Sequence, residues 1–210
     1  MQFVLFIPVL FFSIVLHEFA HGYVAYRMGD DTAYLSGRLT LNPVAHFDLI
    51  GTLLVPLFCF IIGAPLFGWA KPVPINPLRL PSPRKDMGKV AAAGPAINLI
   101  LALSFALVLK GAVLAAGFLS EQTLRNLIPF LQYGILINVM LAVFNLMPIP
   151  PLDGGRIVVA LLPVKLALSY DKFFSRYGMM IVILLILTGA VKYLILPPAV
   201  MVLTLLGKIL

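Results

Sequence analysis

Charged residues are scarce in this sequence, and their scarcity excludes a soluble domain. Only 11% of the 210 residues are Asp, Glu, Lys or Arg, whereas 61% are hydrophobic and the mean hydropathy is +1.06. Soluble domains carry about 25% charged residues. Because a transmembrane helix takes about 20 residues, the composition predicts an integral, multi-pass protein of the lipid bilayer with room for about four to six spans.

Cysteine is also nearly absent, since Cys59 is the only one. A single cysteine excludes an intrachain disulfide, and its apolar neighbours indicate a packing role. Basic residues outnumber acidic ones by fifteen to eight. They are scattered over short loops, where membrane topology explains them better than a nucleic-acid partner does, so we expect no nucleic-acid binding.

The chemistry is concentrated in one stretch of the first apolar run, His17-Glu18-Phe19-Ala20-His21. If residues 3–27 form a helix, His17 and His21 lie on one face with Glu18 beside them. Two imidazoles suit a Zn²⁺ ion that needs at least one more protein ligand and a water molecule. The alternative is that the three side chains only satisfy one another between helices. Ionisable groups are costly in a lipid-length segment, which favours the metal site.

A second unusual segment covers residues 145–156, where three prolines fall within four positions. Such backbone cannot form regular helix, and at membrane depth it survives only inside protein or along a cavity. The segment therefore predicts an extended, preformed turn that carries Asp153. This carboxylate is our candidate third metal ligand, because Asp153 and Glu18 are the only acids in apolar stretches. A structural aspartate that caps the loop is the alternative.

Further candidate residues would serve the proton transfers of amide hydrolysis or stabilise the negative charge of its tetrahedral intermediate. Glu18 adjoins a ligand and suits a general base that takes a proton from water and later passes one to the leaving amine. The tetrahedral intermediate also needs a hydrogen-bond donor, for which Asn98, Asn145 and His46 are candidates. Asparagines also bridge helices in membranes, and His46 alternatively ties down a loop.

The remaining apolar runs predict a helical bundle. We expect spans at residues 90–118 and 128–146, and either one kinked span or two short ones within residues 177–206. The alternation in residues 32–41 predicts a strand or hairpin at the membrane surface, whose edge could hold an unwound substrate. The predicted fold class is an all-α polytopic membrane protein with this small membrane-associated β element after the first helix.

Residues 49–67 decide the topology. If His17 and Asp153 bind one metal ion, they lie at similar depth, which two intervening crossings allow and three do not. We therefore expect residues 49–67 to dip into the membrane and return, or to pack as a broken helix, without changing sides. All but four of the fifteen basic residues then share one side, which the positive-inside rule identifies as the cytoplasm. The N-terminus would lie outside and the metal site toward the cytoplasmic face.

Taken in order, four motifs resemble those of the site-2 protease family of intramembrane zinc metalloproteases. They are His17 to His21, Asn42 to His46, Gly94 to Asn98 and Asn145 to Gly155. The resemblance covers roughly residues 10–165 and is strongest to short prokaryotic members, which implies a prokaryotic cell membrane. It implies one Zn²⁺ held by His17, His21 and Asp153, with Glu18 as catalytic base. It also implies cleavage of single-span transmembrane substrates.

The sequence indicates a single membrane-embedded domain, residues 1–210, with a catalytic core at about 1–165 and an accessory C-terminal part at about 173–210. Three other functions fit some of its features: a surface zinc peptidase, a membrane metal-ion carrier, and a non-catalytic relative that binds membrane proteins. A carrier would need acids and histidines along a path, whereas here they belong to one cluster. The sequence leaves the substrate's identity open, and also whether the protein is a homo-oligomer.

Overall fold

The computed structural model describes residues 2–61 and 69–209 and is built from helices. In chain order they are α1 (Gln2–Arg27), α2 (Thr32–Leu35), α3 (Val55–Ile61), α4 (Pro83–Leu114), α5 (Glu121–Asn145), α6 (Asp153–Leu161), α7 (Val164–Leu187) and α8 (Val191–Gly207). Among these described helices, α1, α4 and α5 are long and apolar enough to cross a membrane, and α7 with α8 forms a bent pair. The chain is an integral membrane protein, and the helical part of the predicted fold class is confirmed.

Polar residues that flank the apolar runs set where the long helices begin. The Ser120 hydroxyl accepts a hydrogen bond from the Thr123 N–H at 3.1 Å and caps α5. The Asp86 carboxylate accepts one from the Ser82 N–H at 2.7 Å, and Pro83 occupies the first position of α4. Because of these starts, α4 and α5 begin at residues 83 and 121, earlier than the predicted spans.

The centre of the bundle is α4, which packs against α1, α5 and α6. Small residues allow this close approach: Ala102 and Ala106 of α4 are fully buried, and a Cβ at Gly134 of α5 would lie 2.6 Å from the Phe105 ring. Ala199 of α8 joins the same core. The close-packed pair of α4 and α5 is the platform against which α1 rests.

The β element predicted for residues 32–41 is not observed, because the described residues contain no strand. This part of the predicted fold class is therefore corrected. The first part of this stretch forms α2 instead. The Asp30 carboxylate accepts a hydrogen bond from the Thr32 N–H at 3.1 Å, and the Arg38 N–H bonds back to the Ala33 carbonyl at 2.8 Å. Since these donors are used locally, the stretch cannot offer them to a sheet, and the expected substrate-binding edge is not formed there.

The segment predicted to re-enter, residues 49–67, is described only in part, because residues 62–68 lie outside the description. Its helical part, residues 49–61, is about 20 Å long at about 1.5 Å per residue, shorter than a hydrocarbon core of about 30 Å. The Trp69 N–H donates to the Gly51 carbonyl at 3.0 Å. Residues 51 and 69 are therefore neighbours, and whether the segment changes sides stays a prediction.

The C-terminal apolar run is divided into two helices, α7 and α8, which meet at an angle of 81°. The break falls at Gly189, whose φ of +69° is the left-handed conformation that ends helices. Pro197 and Pro198 both lie inside α8 and do not mark the break.

Candidate metal centre

The first two candidate ligands come from one face of α1. The Nε2 atoms of His17 and His21 lie 3.0 Å apart, and each residue is 7% exposed. Helix α4 covers both rings closely because residue 94 is glycine. A Cβ at Gly94 would overlap both imidazoles, so any larger residue would force the helices apart. The four-residue spacing thus places both imidazoles on one face of α1, as the sequence predicts.

The third candidate ligand, Asp153, reaches the histidines from the start of α6. Its Oδ2 lies 3.1 Å from His17 Nε2 and 3.3 Å from His21 Nε2. The predicted extended turn ends one residue earlier than expected, because Asp153 is the first residue of α6. A Cβ at Gly154 would overlap the Leu146 carbonyl, so this glycine lets the helix start directly against the proline-rich loop.

The hydrogen bonds of these groups show that the cluster fits a cation. His21 Nδ1 lies 2.7 Å from the Val90 carbonyl, which can only accept, so Nδ1 carries the proton and the neutral ring has its lone pair on Nε2. Asp153 Oδ2 is buried without a hydrogen-bond donor among the described residues. Two electron-rich atoms that face each other at 3.3 Å repel unless a positive charge lies between them.

The spacing of the donor atoms also matches the chemistry of zinc. Bonds of about 2.0–2.1 Å in a tetrahedron place the ligand atoms about 3.3–3.4 Å apart, close to the separations of 3.0, 3.1 and 3.3 Å seen here. Within the described residues, His17, His21 and Asp153 are the one group of histidine, cysteine and carboxylate side chains close enough to hold a metal ion. A set of two imidazoles and one carboxylate is a donor set that Zn²⁺ accepts.

Glu18 lines the same cavity as the three candidate ligands. This cavity has a volume of about 180 Å³. Its remaining wall includes the segment that follows residue 69, which forms neither helix nor strand. The Val73 N–H of that segment donates to Glu18 Oε2 at 2.9 Å, and Pro72 and Ile75 also line the space. The backbone of a distant loop thus holds the candidate base at the cavity.

Asn145 is the candidate oxyanion donor that the structure places in the cavity wall. It stands at the end of α5, and its amide nitrogen donates to the Leu141 carbonyl at 3.0 Å. An amide nitrogen has two hydrogens, and the bond to Leu141 uses one of them. The geometry therefore leaves Asn145 able to donate to a substrate.

The other two candidates lie away from the cavity. Asn98 is fully buried behind His17, and its amide nitrogen points to Asn138 of α5 rather than to the cavity. His46 is fully buried too, and its Nε2 bonds to the Thr40 carbonyl at 2.8 Å. For His46 the contacts match the loop-tying alternative, and for Asn98 they match the helix-bridging one.

Some residues at this centre carry no signal in the sequence. The Val90 carbonyl and the Val73 N–H are backbone groups, so no side-chain pattern identifies them. Arg156 lines the cavity, is exposed and forms no salt bridge with the described residues. Tyr170 of α7 donates a hydrogen bond from its hydroxyl to the Pro148 carbonyl, which links α7 to the loop that precedes Asp153.

The family model and the similar proteins found by comparison indicate the same family. The family model described as "Peptidase family M50" matches residues 5–188. "Putative zinc metalloprotease YwhC" of Bacillus subtilis is 40% identical over 190 residues, which cover 90% of this chain and 82% of that protein. No solved structure matches the chain.

More distant relatives carry similar names. "Putative zinc metalloprotease Rip2" of Mycolicibacterium smegmatis is 32% identical over 192 residues, covering 90% of this chain and 69% of that protein. "Zinc metalloprotease MJ0392" of Methanocaldococcus jannaschii is 28% identical over 187 residues, covering 89% of this chain and 42% of that protein. The family match over residues 5–188 includes both the segment of the two histidines and the segment of Asp153.

Proposed function

The chain belongs to peptidase family M50 and is a membrane zinc metalloprotease, and from this premise we propose that it is an intramembrane endopeptidase. Its proposed substrates are single-span transmembrane proteins, cleaved within or near the bilayer. One Zn²⁺ per chain would be held by His17, His21 and Asp153, with Glu18 as the general base.

One observation carries this proposal: the three donor atoms converge within 3.0–3.3 Å beside a fourth ionisable group, Glu18. The histidines and Glu18 belong to α1, and Asn145 ends α5, and both helices can cross a membrane. A reaction centre carried by spanning helices is accessible to a transmembrane segment. This location favours a membrane-embedded substrate over a soluble peptide.

The residues of the cavity divide the chemistry between them. When bound, the zinc ion lowers the pKa of a water molecule to about 7 and polarises the substrate carbonyl. Glu18 takes the proton as the water attacks and then gives it to the leaving amine. The Val73 N–H keeps Glu18 Oε2 in place at 2.9 Å. The Asn145 amide donates to the carbonyl oxygen as its negative charge develops.

The topology forms part of the proposal. Gly51 and Trp69 are hydrogen-bonded neighbours, which supports two rather than three crossings between His17 and Asp153. With two crossings, most basic residues share the side on which the cavity lies, and that side is the cytoplasm by the positive-inside rule. Reporter fusions at the N-terminus and near residue 75 should report opposite sides. Reporters on the same side would contradict the two-crossing topology.

Replacing Glu18 by Gln tests the catalytic role. Glutamine keeps the shape of the side chain but cannot take a proton, so Glu18→Gln should bind zinc as the wild type does while cleavage falls by at least about 100-fold. Metal analysis of the purified protein and a cleavage assay with a panel of single-span substrates measure both quantities.

Glu121→Gln is the matched control for this variant. It makes the same change at an exposed carboxylate of α5 that pairs with Arg125, so cleavage should be unchanged. Cleavage at the wild-type rate by Glu18→Gln would refute the assignment of the base. A wild-type protein that cleaves none of the panel but moves zinc across vesicle membranes would favour the carrier instead.

A further inference from the structure

A chain of buried polar side chains lies behind His17, on the side away from the cavity. Asn98 of α4 and Asn138 of α5 connect His17 to Ser13, which stands one turn earlier on α1. Ser13, Asn98 and Asn138 each have 0% exposure. Polar groups that are buried in an apolar bundle are costly unless their donors and acceptors are matched, so this network restricts how each amide is oriented.

The distances define a continuous path from the imidazole back to α1. His17 Nδ1 lies 2.6 Å from Asn98 Oδ1, and Asn98 Nδ2 lies 2.9 Å from Asn138 Oδ1. Asn138 Nδ2 then lies 2.9 Å from both Ser13 Oγ and the Gly134 carbonyl. Every bond joins one helix to another, except the bond to Gly134, which stays within α5.

The Gly134 carbonyl fixes the direction of all these bonds. A backbone carbonyl can only accept, so Asn138 must turn its NH₂ group toward it and its Oδ1 toward Asn98. Asn98 must then present its own NH₂ group to Asn138, which leaves Asn98 Oδ1 facing the imidazole. An oxygen that accepts requires a proton on His17 Nδ1. The Ser13 carbonyl, 3.4 Å from Asn98 Nδ2, supports the same orientation of Asn98.

We infer that Asn98 and Asn138 are positioning residues that hold His17 as the Nδ1–H tautomer. This inference rests on the proposed function, since it concerns the ligand role of His17. In this tautomer the Nε2 lone pair points at the cluster, 3.1 Å from Asp153 Oδ2. The other tautomer would place a proton between His17 and its neighbours and block that lone pair.

The two histidines hold the same Nδ1–H tautomer through different hydrogen-bond partners. His21 donates directly to the Val90 carbonyl at 2.7 Å, so one backbone atom selects its tautomer. The Nδ1 of His17 faces the contact between α4 and α5, where the partner is an amide that can either donate or accept. An amide selects a tautomer only when something else orients it, and Asn138 supplies that orientation to Asn98.

The tautomer can be read directly in the zinc-free wild-type protein. With ¹⁵N-labelled histidine at about pH 8.5, well above the ordinary histidine pKa of about 6.5, NMR distinguishes a proton on Nδ1 from one on Nε2. The chain has three histidines, and a His46→Gln variant assists their assignment. We expect His17 as the Nδ1–H tautomer. A predominant Nε2–H tautomer would overturn the inference, whatever any variant shows.

A double-mutant cycle tests the role of Asn138. Asn138→Leu alone should weaken zinc binding by about 10–100-fold, because Asn98 is no longer oriented. Asn98→Asp supplies a carboxylate, which accepts in every orientation. In that background Asn138→Leu should change zinc affinity by less than about 3-fold. An equal loss in both backgrounds would indicate a merely structural effect and would overturn the inference.

Two controls separate this inference from the proposed function. Val139→Ala removes buried volume beside Asn138 and should leave zinc affinity and the absorption spectrum of the Co²⁺-substituted protein unchanged. Asn138→Leu should alter that spectrum, and an unaltered spectrum would count against the inference. His17→Ala should abolish zinc binding. If His17→Ala binds zinc as the wild type does, the metal centre itself, and with it the proposed function, is refuted.

Discussion

His17 and His21 reach the metal centre through the geometry of one helix, whereas Asp153 reaches it through contacts between distant segments. On α1 a spacing of four residues places the two Nε2 atoms 3.0 Å apart. Asp153 follows a proline-rich loop, and that loop contacts α7, which begins later in the chain. The comparison teaches that the helical half of this centre, His17 and His21, is encoded locally. Its loop half, Asp153, takes its place only when the bundle assembles.

Gly94→Ala should break the helical half and have the largest effect. The added methyl group would overlap both imidazoles, so α4 must move away or the rings must turn. We expect zinc affinity to fall by about 100-fold, in the range seen when the surroundings of metal ligands are disturbed. Competition with a chromophoric chelator measures this loss.

Gly111→Ala is the matched control on the same helix, since a Cβ there meets nothing within 4 Å. Its zinc affinity should equal that of the wild type. A Gly94→Ala protein that binds zinc normally would show that the fit of α4 over the imidazoles does not matter.

Gly178→Ala should disturb the loop half more moderately. A Cβ at residue 178 of α7 would overlap the Pro150 carbonyl, so α7 would be pushed from the loop that precedes Asp153. Overpacking of this kind costs about 1–3 kcal/mol, and we expect a lower midpoint of thermal unfolding together with weaker zinc binding. The two quantities are measured in the same detergent.

Gly207→Ala serves as the comparison for that variant, because its Cβ would also meet nothing within 4 Å. It should leave both quantities unchanged. If Gly178→Ala lowers stability but leaves zinc affinity intact, α7 does not position Asp153, and the contrast between the two halves disappears.

Tyr170→Phe should have the smallest effect. It removes one hydroxyl that donates to the Pro148 carbonyl, and a hydrogen bond of this kind contributes about 0.5–1.5 kcal/mol. We expect a small fall in thermal stability and a change in zinc affinity of less than about 3-fold. Tyr193→Phe removes an exposed hydroxyl on α8 and is the control. A loss larger than that of Gly178→Ala would reverse the proposed order.

The parts that were predicted from the sequence are those that depend on helix periodicity and on composition. The membrane class, the long spans and the shared face of His17 and His21 follow from hydropathy and a four-residue spacing. The family indicated by the motifs is confirmed by the match over residues 5–188. The strand expected in residues 32–41 is not seen, because the Asp30 carboxylate accepts a hydrogen bond from the Thr32 N–H where the helical turn α2 begins. This local hydrogen bond, and not the weak alternation of apolar residues, decided the backbone structure of the stretch.

The sequence by itself determined that a hydrophobic chain carries the candidate ligands and the candidate base in two segments, residues 17–21 and 145–156, because hydrophobicity and the spacing of residues on a helix are local properties. Only the tertiary structure decided which polar atoms meet: Asp153 with the imidazoles, Val73 with Glu18, and Asn98 with His17. Hydrogen bonds extend about 3 Å, so partners many residues apart are selected by how helices pack. Packing also explains why Asn98 faces a helix contact while Asn145 faces the cavity.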